Sequence, residues 1–277
     1  MIDPASWLGR RAEAEDVCAL KQVRRLAALL DRDPARLRQG DPLPPGWHAV
    51  LFTPESPQAA LGPDGHPSGG DGLPPPPLPR RMLGGRRTRF PAPLRIGAAV
   101  RRVSEVTGFA EKQGRSGRLV LVTLRHAIAE AEAPGAAVIE EQDIVYREAA
   151  GGAPADAAAV PAPPAAVHSR TFTPDPVLLF RYSAVTFNAH RIHYDRPYAT
   201  GREGYPDLVV NGGLTALLLL ELWTNATGRV PVEMTARNRR PLFCGRPARL
   251  CAAPAGDGWA LWAEDADGAV ALEATAR

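Results

Sequence analysis

Hydrophobic and polar residues alternate with a period of two along much of this chain, a pattern that predicts strands. The alternation is clearest in residues 98–106, 118–128 and 137–146. A glycine-bounded turn at residues 114–117 separates the first two runs. We therefore expect these two runs to form the arms of a β-hairpin.

A helical period replaces this alternation in two places. Near the N terminus, apolar residues recur every three or four positions and predict a helix that Asp16 caps and Asp33-Pro34 ends. Its apolar positions are Val17, Leu20, Val23, Leu26, Leu29 and Leu30. Residues 214–223 are apolar on nearly every side, which predicts a buried helix. Residues 177–186 fit either a helix or a strand.

The second half of the chain repeats the organisation of the first. Four more strands are predicted there, at residues 234–240, 247–253, 258–264 and 269–276. The motif Pro-Leu-x-x-Gly begins at Pro93 and again at Pro241, 148 residues later, each time after an arginine-rich predicted strand. This echo favours a duplicated α+β unit, with an antiparallel sheet that carries its helices on one face.

Two segments interrupt the pattern. Residues 62–79 are rich in glycine and proline, which excludes a helix or a central strand. Residues 149–166 are nearly all alanine, proline and glycine, the composition of an interdomain linker. We therefore predict an N-terminal domain at 1–148, a linker at 149–166 and a C-terminal domain at 167–277.

Composition adds only broad limits. The chain has 277 residues, of which 45% are hydrophobic and 23% charged, as expected of a soluble protein, and no apolar run is long enough to span a membrane. Three cysteines without a paired spacing, and an N terminus without a secretion signal, predict a cytoplasmic protein with reduced thiols.

The net charge is +3, and basic residues cluster at 80–89 and 237–249. These arginine clusters have two interpretations, a solvated surface or a binding site for a phosphate-bearing ligand. No nucleic-acid-binding motif accompanies them, so we predict no nucleic-acid partner.

The densest group of polar side chains lies at residues 186–195. It contains Asn188, His190, His193 and Asp195. An imidazole titrates near neutral pH and can both take and give a proton. The two histidines can also simply cap backbone groups of a loop, and this alternative stays open. His190, His193 and Asp195 could face one metal ion, but no second ligand cluster supports them, so we predict no metal site.

A second candidate element follows about 20 residues later. Asn211, Gly212 and Gly213 precede the predicted buried helix. The first turn of a helix has unpaired N–H groups and a partial positive charge, which stabilise a carbonyl oxygen that gains negative charge. The competing interpretation is that Asn211 is only a cap and the glycines only form a turn. With a histidine base nearby, the pair suggests addition or removal of water at an α,β-unsaturated thioester.

Several motifs resemble a known family. The segments HYDRPYA at 193–199 and GYPDLVVNG at 204–212 resemble the (R)-specific enoyl-CoA hydratases of the MaoC-like hotdog group. The segments at 45–48, 78–82, 114–117 and 140–147 resemble the mesaconyl-C4-CoA (3-methylfumaryl-CoA) hydratases, which are similar to the type 2 hydroxyacyl-thioester dehydratases. The resemblance implies an α+β double hotdog, in which each unit wraps an antiparallel sheet around a central helix. The N-terminal unit is expected to be degenerate, because the 148-residue offset places its central helix near residue 64, within the proline-rich segment.

The resemblance also implies roles for individual residues. His193 is the general acid and base, and Asn188, at the family's Asp position, holds the water. The Gly212 N–H donates to the thioester oxygen, with Gly213, Asn211, Tyr194 and Arg191 as further substrate-binding residues. A second carboxylate on the acyl group would pair with Arg191, Arg196 or Arg202, and the CoA phosphates with Arg237, Arg239 and Arg240.

The expected activity is that of a hydro-lyase. The substrate would be an enoyl or 3-hydroxyacyl thioester of CoA or of acyl carrier protein, with no cofactor, and a homo-oligomer through the sheet edges is compatible with it. Two alternatives stay open. One is a hotdog thioesterase that uses Asp195 or Glu221 to activate water, and the other is a non-catalytic thioester-binding double hotdog.

Overall fold

A computed structural model describes residues 6–67, 78, 80–114, 117–148 and 163–277. The strands, in chain order, are β1 Arg11–Val17, β2 Arg80–Arg89, β3 Ala99–Gly114, β4 Gly117–Glu130, β5 Val138–Arg147, β6 His168–Phe172, β7 Glu233–Asn238, β8 Ala248–Ala255, β9 Gly258–Glu264 and β10 Val270–Ala276. The α-helices are α1 Leu20–Leu29, α2 Pro176–Val185, α3 Arg196–Gly201 and α4 Gly212–Thr227. Short 3₁₀ turns occur at Pro34–Arg36, Trp47–Val50, Gln58–Ala60 and Arg191–His193.

All ten strands belong to one antiparallel sheet, in the order β1-β3-β4-β5-β2-β7-β10-β9-β8-β6. Five strands of each half lie side by side, and the halves join where Arg87 of β2 pairs with Thr235 of β7. The predicted hairpin is confirmed by the pairing of β3 with β4, in which Val103 lies opposite Ala127. The predicted α+β class is therefore confirmed. The predicted linker falls mostly on residues 149–162, outside the described residues, and the domain boundaries stay a prediction.

The N-terminal helix is shorter than its apolar period suggested. It begins at Leu20 after an uncapped Ala19, and an edge strand, β1, occupies the residues before it. Asp16 belongs to that strand, and its carboxylate accepts hydrogen bonds from the N–H groups of Val17 and Phe52. The prediction of an Asp16 cap was wrong because alternating acidic residues at 11–17 mark an exposed edge strand.

The ambiguous segment before the histidine loop is a helix, α2. Asp175 caps it by accepting from the Leu178 N–H at 2.7 Å, and Pro176 takes the first helical position. A capping aspartate followed by proline is a strong helix start. This local signal decides between the two conformations that hydrophobic periodicity left open.

Helix α4 is the buried centre of the C-terminal half. Asn211 caps it, and Gly228 ends it in the left-handed conformation with φ 67°. Leu214 and Leu219 have 0% exposure within the core formed with β8, β9 and β10. Burial of one leucine side chain stabilises the fold by about 1.5–3 kcal/mol, so apolar contacts on all sides fix the position of this helix and of its N terminus.

The N-terminal half has no counterpart of α4 among its described residues. The Val210 N–H bonds to the Leu242 carbonyl, and the Leu43 N–H bonds in the same way to the Leu94 carbonyl. Leu43 is therefore the counterpart of Val210, and Pro44-Pro45-Gly46 stand where α4 would begin. The expected counterpart near residue 64 was wrong, because the two halves have different lengths before the repeated motif. In the described residues the short 3₁₀ turn Trp47–Val50 follows in place of a long helix, and space is left over the inner face of β2–β5.

Candidate active site

A cavity of about 830 Å³ occupies that space. Its wall combines the loop at residues 187–194, the start of α4 and the inner face of β2–β5. The predicted residues Asn188, Tyr194, Asn211 and Gly213 all line it. The structure therefore brings the loop and the helix start together across one cavity.

His193 lies directly behind Asn211, at the end of the 3₁₀ turn, and is 7% exposed. Its Nδ1–H donates to the Val209 carbonyl at 2.8 Å, since a carbonyl oxygen only accepts. The other ring nitrogen, Nε2, is therefore unprotonated and lies 3.5 Å from the Asn211 amide nitrogen. Burial lowers the pKa of His193 to about 4. The ring is thus a neutral base of fixed tautomer at physiological pH.

Asn188 follows Phe187, which has the unusual φ of 49° at the end of α2. The Asn188 N–H bonds to the Ser183 carbonyl at 2.7 Å, and its side-chain oxygen accepts from the His190 N–H at 2.9 Å. The amide NH₂ group is left to donate. Asn188 can therefore donate a hydrogen bond to the oxygen atom of a water. An ionised aspartate has no proton to donate and cannot do so.

Asn211 and the two glycines form the start of α4. The Asn211 side-chain oxygen accepts from the Gly213 N–H at 2.8 Å, so that N–H is occupied by the cap. Among the described residues no acceptor bonds to the Gly212 N–H. Gly212 and His193 themselves are not among the residues that line the cavity, and each lies next to one that does, Asn211. A Cβ on Gly213 would lie 2.8 Å from the Tyr182 hydroxyl, and one on Gly212 would lie 2.6 Å from the Asn238 side-chain oxygen. Neither position has room for a side chain.

Several predicted substrate-binding arginines point elsewhere. Arg191 donates to Asp195 at 2.7 and 2.9 Å and to the Pro63 carbonyl at 2.9 Å, and it does not line the cavity. Arg196 pairs with Asp207 at 3.0 Å, and Arg202 is an exposed residue after α3. None of the three lines the cavity, and their role toward a second carboxylate stays a prediction. Tyr194 lines the cavity, but its hydroxyl is bonded to the Ala189 carbonyl at 2.9 Å.

The arginines predicted for the CoA phosphates lie outside the cavity. Arg239 pairs with Glu273, Arg240 lies 3.5 Å from Asp265, and Arg237 is exposed on β7. Two of the three are thus engaged with acidic neighbours. Their role toward CoA stays a prediction.

The two carboxylates considered for a thioesterase are also engaged elsewhere. Asp195 caps α3 through the Tyr198 N–H at 3.1 Å, in addition to its pairing with Arg191. Glu221 accepts from the Trp47 indole at 2.9 Å and pairs with Arg32 at 2.6 Å. Neither residue lines the cavity. The geometry gives no support to either as a base for thioester hydrolysis.

A loop of the N-terminal half completes the site, which the sequence interpretation missed. The Asp64 carbonyl accepts from the Arg191 N–H at 2.9 Å, and the Asp64 carboxylate lies 2.9 Å from His66 Nδ1. Burial opposes ionisation of Asp64, yet the hydrogen bond to His66 lowers its pKa to about 2. The His66 ring stacks 4.1 Å from His190, whose ring centroid lies 5.3 Å from that of His193.

The same residues form a group with metal-binding potential. Ligand atoms of Asp64, His66 and His190 lie within 4.8 Å of one another, the single such group in the described part of the chain. It differs from the trio of His190, His193 and Asp195, which the sequence analysis considered and did not predict as a metal site, and Asp195 pairs with Arg191. The sequence did not reveal this group, because 126 residues lie between Asp64 and Arg191. Asp64 also belongs to a segment that is notable mainly for glycine and proline.

Comparison with known proteins identifies the family. Residues 46–244 match the family model described as hydroxyacyl-thioester dehydratase type 2. The chain belongs to this family. Type 2 hydroxyacyl-thioester dehydratases and their hydratase relatives are hydro-lyases, so this member is a hydro-lyase as well. A curated relative, the mesaconyl-C(4)-CoA hydratase of Chloroflexus aurantiacus, is 48% identical over 99% of this chain and 97% of its own length.

Solved structures confirm the fold of this family member. A MaoC-like dehydratase from Phytophthora capsici has a TM-score of 0.74 at 14% identity, with 99% of this chain and 98% of the other covered. A conserved hypothetical protein of Mycobacterium tuberculosis with a double hotdog fold has a TM-score of 0.63 at 15% identity, with 97% and 95% covered. The expected double hotdog is thus confirmed. Among the described residues no helix is both long and apolar enough to cross a membrane.

Proposed function

We propose that this hydro-lyase adds water to the double bond of a short enoyl-CoA, or removes it from the corresponding 3-hydroxyacyl-CoA. The observation that supports this reaction is the close placement of three groups: the Asn188 amide on the cavity wall, the neutral His193 imidazole behind Asn211, and the unbonded Gly212 N–H at the start of α4. The activity of the Chloroflexus relative as a mesaconyl-C4-CoA hydratase suggests a dicarboxylic acyl group and CoA as the carrier.

The proposed mechanism assigns the base to His193. The Asn188 amide donates to the oxygen of a bound water, and that water donates to His193 Nε2. As the oxygen bonds to the β-carbon, Nε2 takes one water proton, and the Val209 carbonyl holds the resulting imidazolium through Nδ1–H. The same Nε2–H then protonates the α-carbon. Water is consumed, both of its hydrogens are accounted for, and the histidine returns to its neutral form.

Charge on the thioester oxygen is stabilised at the start of α4. The Gly212 N–H donates to that oxygen, and the partial positive charge at the helix N terminus supports the enolate. Donors of this kind contribute roughly 10²–10³ in rate where they have been removed one at a time. Every step uses protein side chains, backbone and water, so the mechanism requires no cofactor.

Assembly and location follow as further proposals. Strands β1 and β6 form the two edges of the ten-stranded sheet. Exposed edges can pair with those of a second copy, so we expect a homo-oligomer built through them. Three free cysteines, all buried, are compatible with a reducing compartment, and we place the enzyme in the cytoplasm.

One assay separates hydration from thioester cleavage. The enzyme is incubated with an enoyl-CoA, and loss of the conjugated double bond and release of free thiol are followed in the same sample. We expect loss of the double bond without thiol release. Thiol release at an equal rate would contradict the proposal and favour the thioesterase, while product binding without turnover would favour the non-catalytic alternative.

The low pKa of His193 predicts the pH dependence of activity. Because burial holds its pKa at about 4, His193 stays neutral at pH values far below the ordinary histidine pKa. With trans-2-butenoyl-CoA, which carries no carboxylate on its acyl group, kcat is expected to be flat from about pH 5.5 to 8 and to fall only near pH 4. An acid limb centred near pH 6.5 would contradict the assignment.

The same shift predicts the pH dependence of stability. The unfolded chain binds a proton on His193 near pH 6.5, whereas the folded chain does so only near pH 4. Stability is therefore lost as pH falls through this window, by about 3 kcal/mol for this residue. Urea unfolding at pH 7 and pH 4.5 measures the loss, and the His193→Gln variant should lose less than the wild type. An equal loss in both proteins would contradict the shift.

A further inference from the structure

The inner face of the N-terminal half is polar where it borders the cavity. Alternate residues of a strand share one face, and strand pairing places Arg86 opposite Gln142, and Thr88 opposite Glu140. His126 lies opposite Glu140 on the next strand. The corresponding face of the C-terminal half is covered by α4. A cavity with this floor suits an acyl group that carries polar atoms of its own.

The charge of the cavity wall is predominantly positive. Among the described residues that line it are three guanidinium groups, Arg81, Arg86 and Arg102, and one carboxylate, Glu140. A concave site with an excess of one charge attracts ligands of the opposite charge. The wall therefore favours an acyl group with an anionic substituent.

Arg86 lies next to the proposed thioester site. Its Nη2 lies 3.5 Å from the position that a Cβ on Gly213 would take, so the guanidinium sits beside the first turn of α4. The side chain is 20% exposed. Partial burial strengthens its interaction with an anion relative to one in open water.

The donors of Arg86 are not committed to its neighbour Glu140. Nη1 and the nearer Glu140 oxygen are 3.7 Å apart, beyond hydrogen-bond distance. The Glu140 oxygens instead accept from Thr88 at 3.1 Å, from Gln142 at 2.6 Å and from His48 at 3.2 Å. Burial would raise the pKa of Glu140, but the Arg86 charge and the His48 hydrogen bond hold it well below its usual value. Glu140 thus balances the charge of Arg86 and leaves its N–H groups available.

We propose that Arg86 is the residue that binds the free carboxylate of a dicarboxylic acyl group and so sets the preference for such a substrate. This inference rests on the proposed hydration at the same site. Arg86 lines the cavity beside the first turn of α4, where the thioester would bind. An arginine fork binds a carboxylate through two parallel hydrogen bonds.

The test compares two substrates that differ by the carboxylate, trans-butenedioyl-CoA and trans-2-butenoyl-CoA. The wild type is expected to prefer the first in kcat/KM. Arg86→Met should reduce that preference by roughly 100-fold or more, chiefly by slowing the dicarboxylic substrate, and Arg86→Lys should retain part of it. Arg118→Met is the matched control, because Arg118 pairs with Glu111 on the β3–β4 hairpin and does not line the cavity, and its preference should equal that of the wild type.

A further variant covers the case in which Arg86→Met does not fold. The double variant Arg86→Met/Glu140→Gln removes both members of the buried pair and is expected to fold and to lose the preference. An equal fall with both substrates in a folded variant would overturn the assignment of Arg86 and leave the hydration reaction standing. Absence of hydration of either substrate by the wild type would instead overturn the proposed function.

Discussion

Replacement of His193 by glutamine is expected to lower kcat for hydration by roughly 10³–10⁴-fold, the upper part of the range for general acid–base catalysis. Glutamine has an amide that can donate to the Val209 carbonyl in place of Nδ1–H, but it cannot take a proton from water. The effect is large because Asn188 does not ionise and no other group is assigned a proton transfer. Measurement of kcat and KM with an enoyl-CoA gives the result directly.

His168→Gln is the matched control for this variant. His168 lies on the edge strand β6, where its ring stacks 5.7 Å from that of Trp259. The same chemical change at this distance from the cavity should leave kcat within about twofold of the wild type. If His193→Gln folds and keeps more than a tenth of the wild-type kcat, His193 is not the base.

Replacement of Gly65 by alanine is expected to lower kcat/KM at least 100-fold. The loop at residues 61–67 would no longer dock on the loop at residues 187–194. Gly65 has a φ of +89°, and an added Cβ would lie 1.9 Å from the Ala189 carbonyl oxygen. The loop must move, which breaks the 2.9 Å hydrogen bond between the Arg191 N–H and the Asp64 carbonyl. A shift of about 1 Å near a site can cost 10²-fold in rate, so steady-state kinetics provide the measurement.

Gly204→Ala separates steric displacement from backbone strain. Gly204 also has a positive φ, +75°, but nothing lies within 4 Å of an added Cβ. Gly204→Ala should therefore lose only about 1–2 kcal/mol of stability, because a residue with a Cβ is disfavoured at positive φ. Its activity should be unchanged. Equal activity of Gly65→Ala and Gly204→Ala would show that docking of residues 61–67 is not needed for catalysis.

The sequence was sufficient for the features that depend on local pattern. Alternation of apolar residues placed the strands of the hairpin, and the apolar run at 214–223 placed the buried helix with Asn211 as its cap. His193 and Asn188 were predicted as site residues because they lie in one short loop with other polar groups, and the structure places Asn188 on the cavity wall and His193 behind Asn211. In each case the signal was contained within about 20 neighbouring residues.

Features that depend on contacts between distant segments were missed. Asp64 and His66 meet the histidine loop only because the chain folds back. Arg86 and Glu140 face the cavity because, in the described part of the chain, no long helix covers β2–β5. Arg191, predicted as a substrate ligand, shows a different limit, because its partner is close in sequence. Asp195, four residues away, pairs with Arg191 along the turn. Sequence spacing alone does not show whether the Arg191 guanidinium binds this carboxylate or the carboxylate of a ligand.

The proposed geometry can be measured in an experimental structure of the His193→Gln variant with a bound 3-hydroxyacyl-CoA. We expect the substrate hydroxyl to lie between residue 193 and the Asn188 amide, with the thioester oxygen within hydrogen-bond distance of the Gly212 N–H. A ligand whose hydroxyl points away from residue 193, or whose thioester oxygen is held elsewhere, would contradict it.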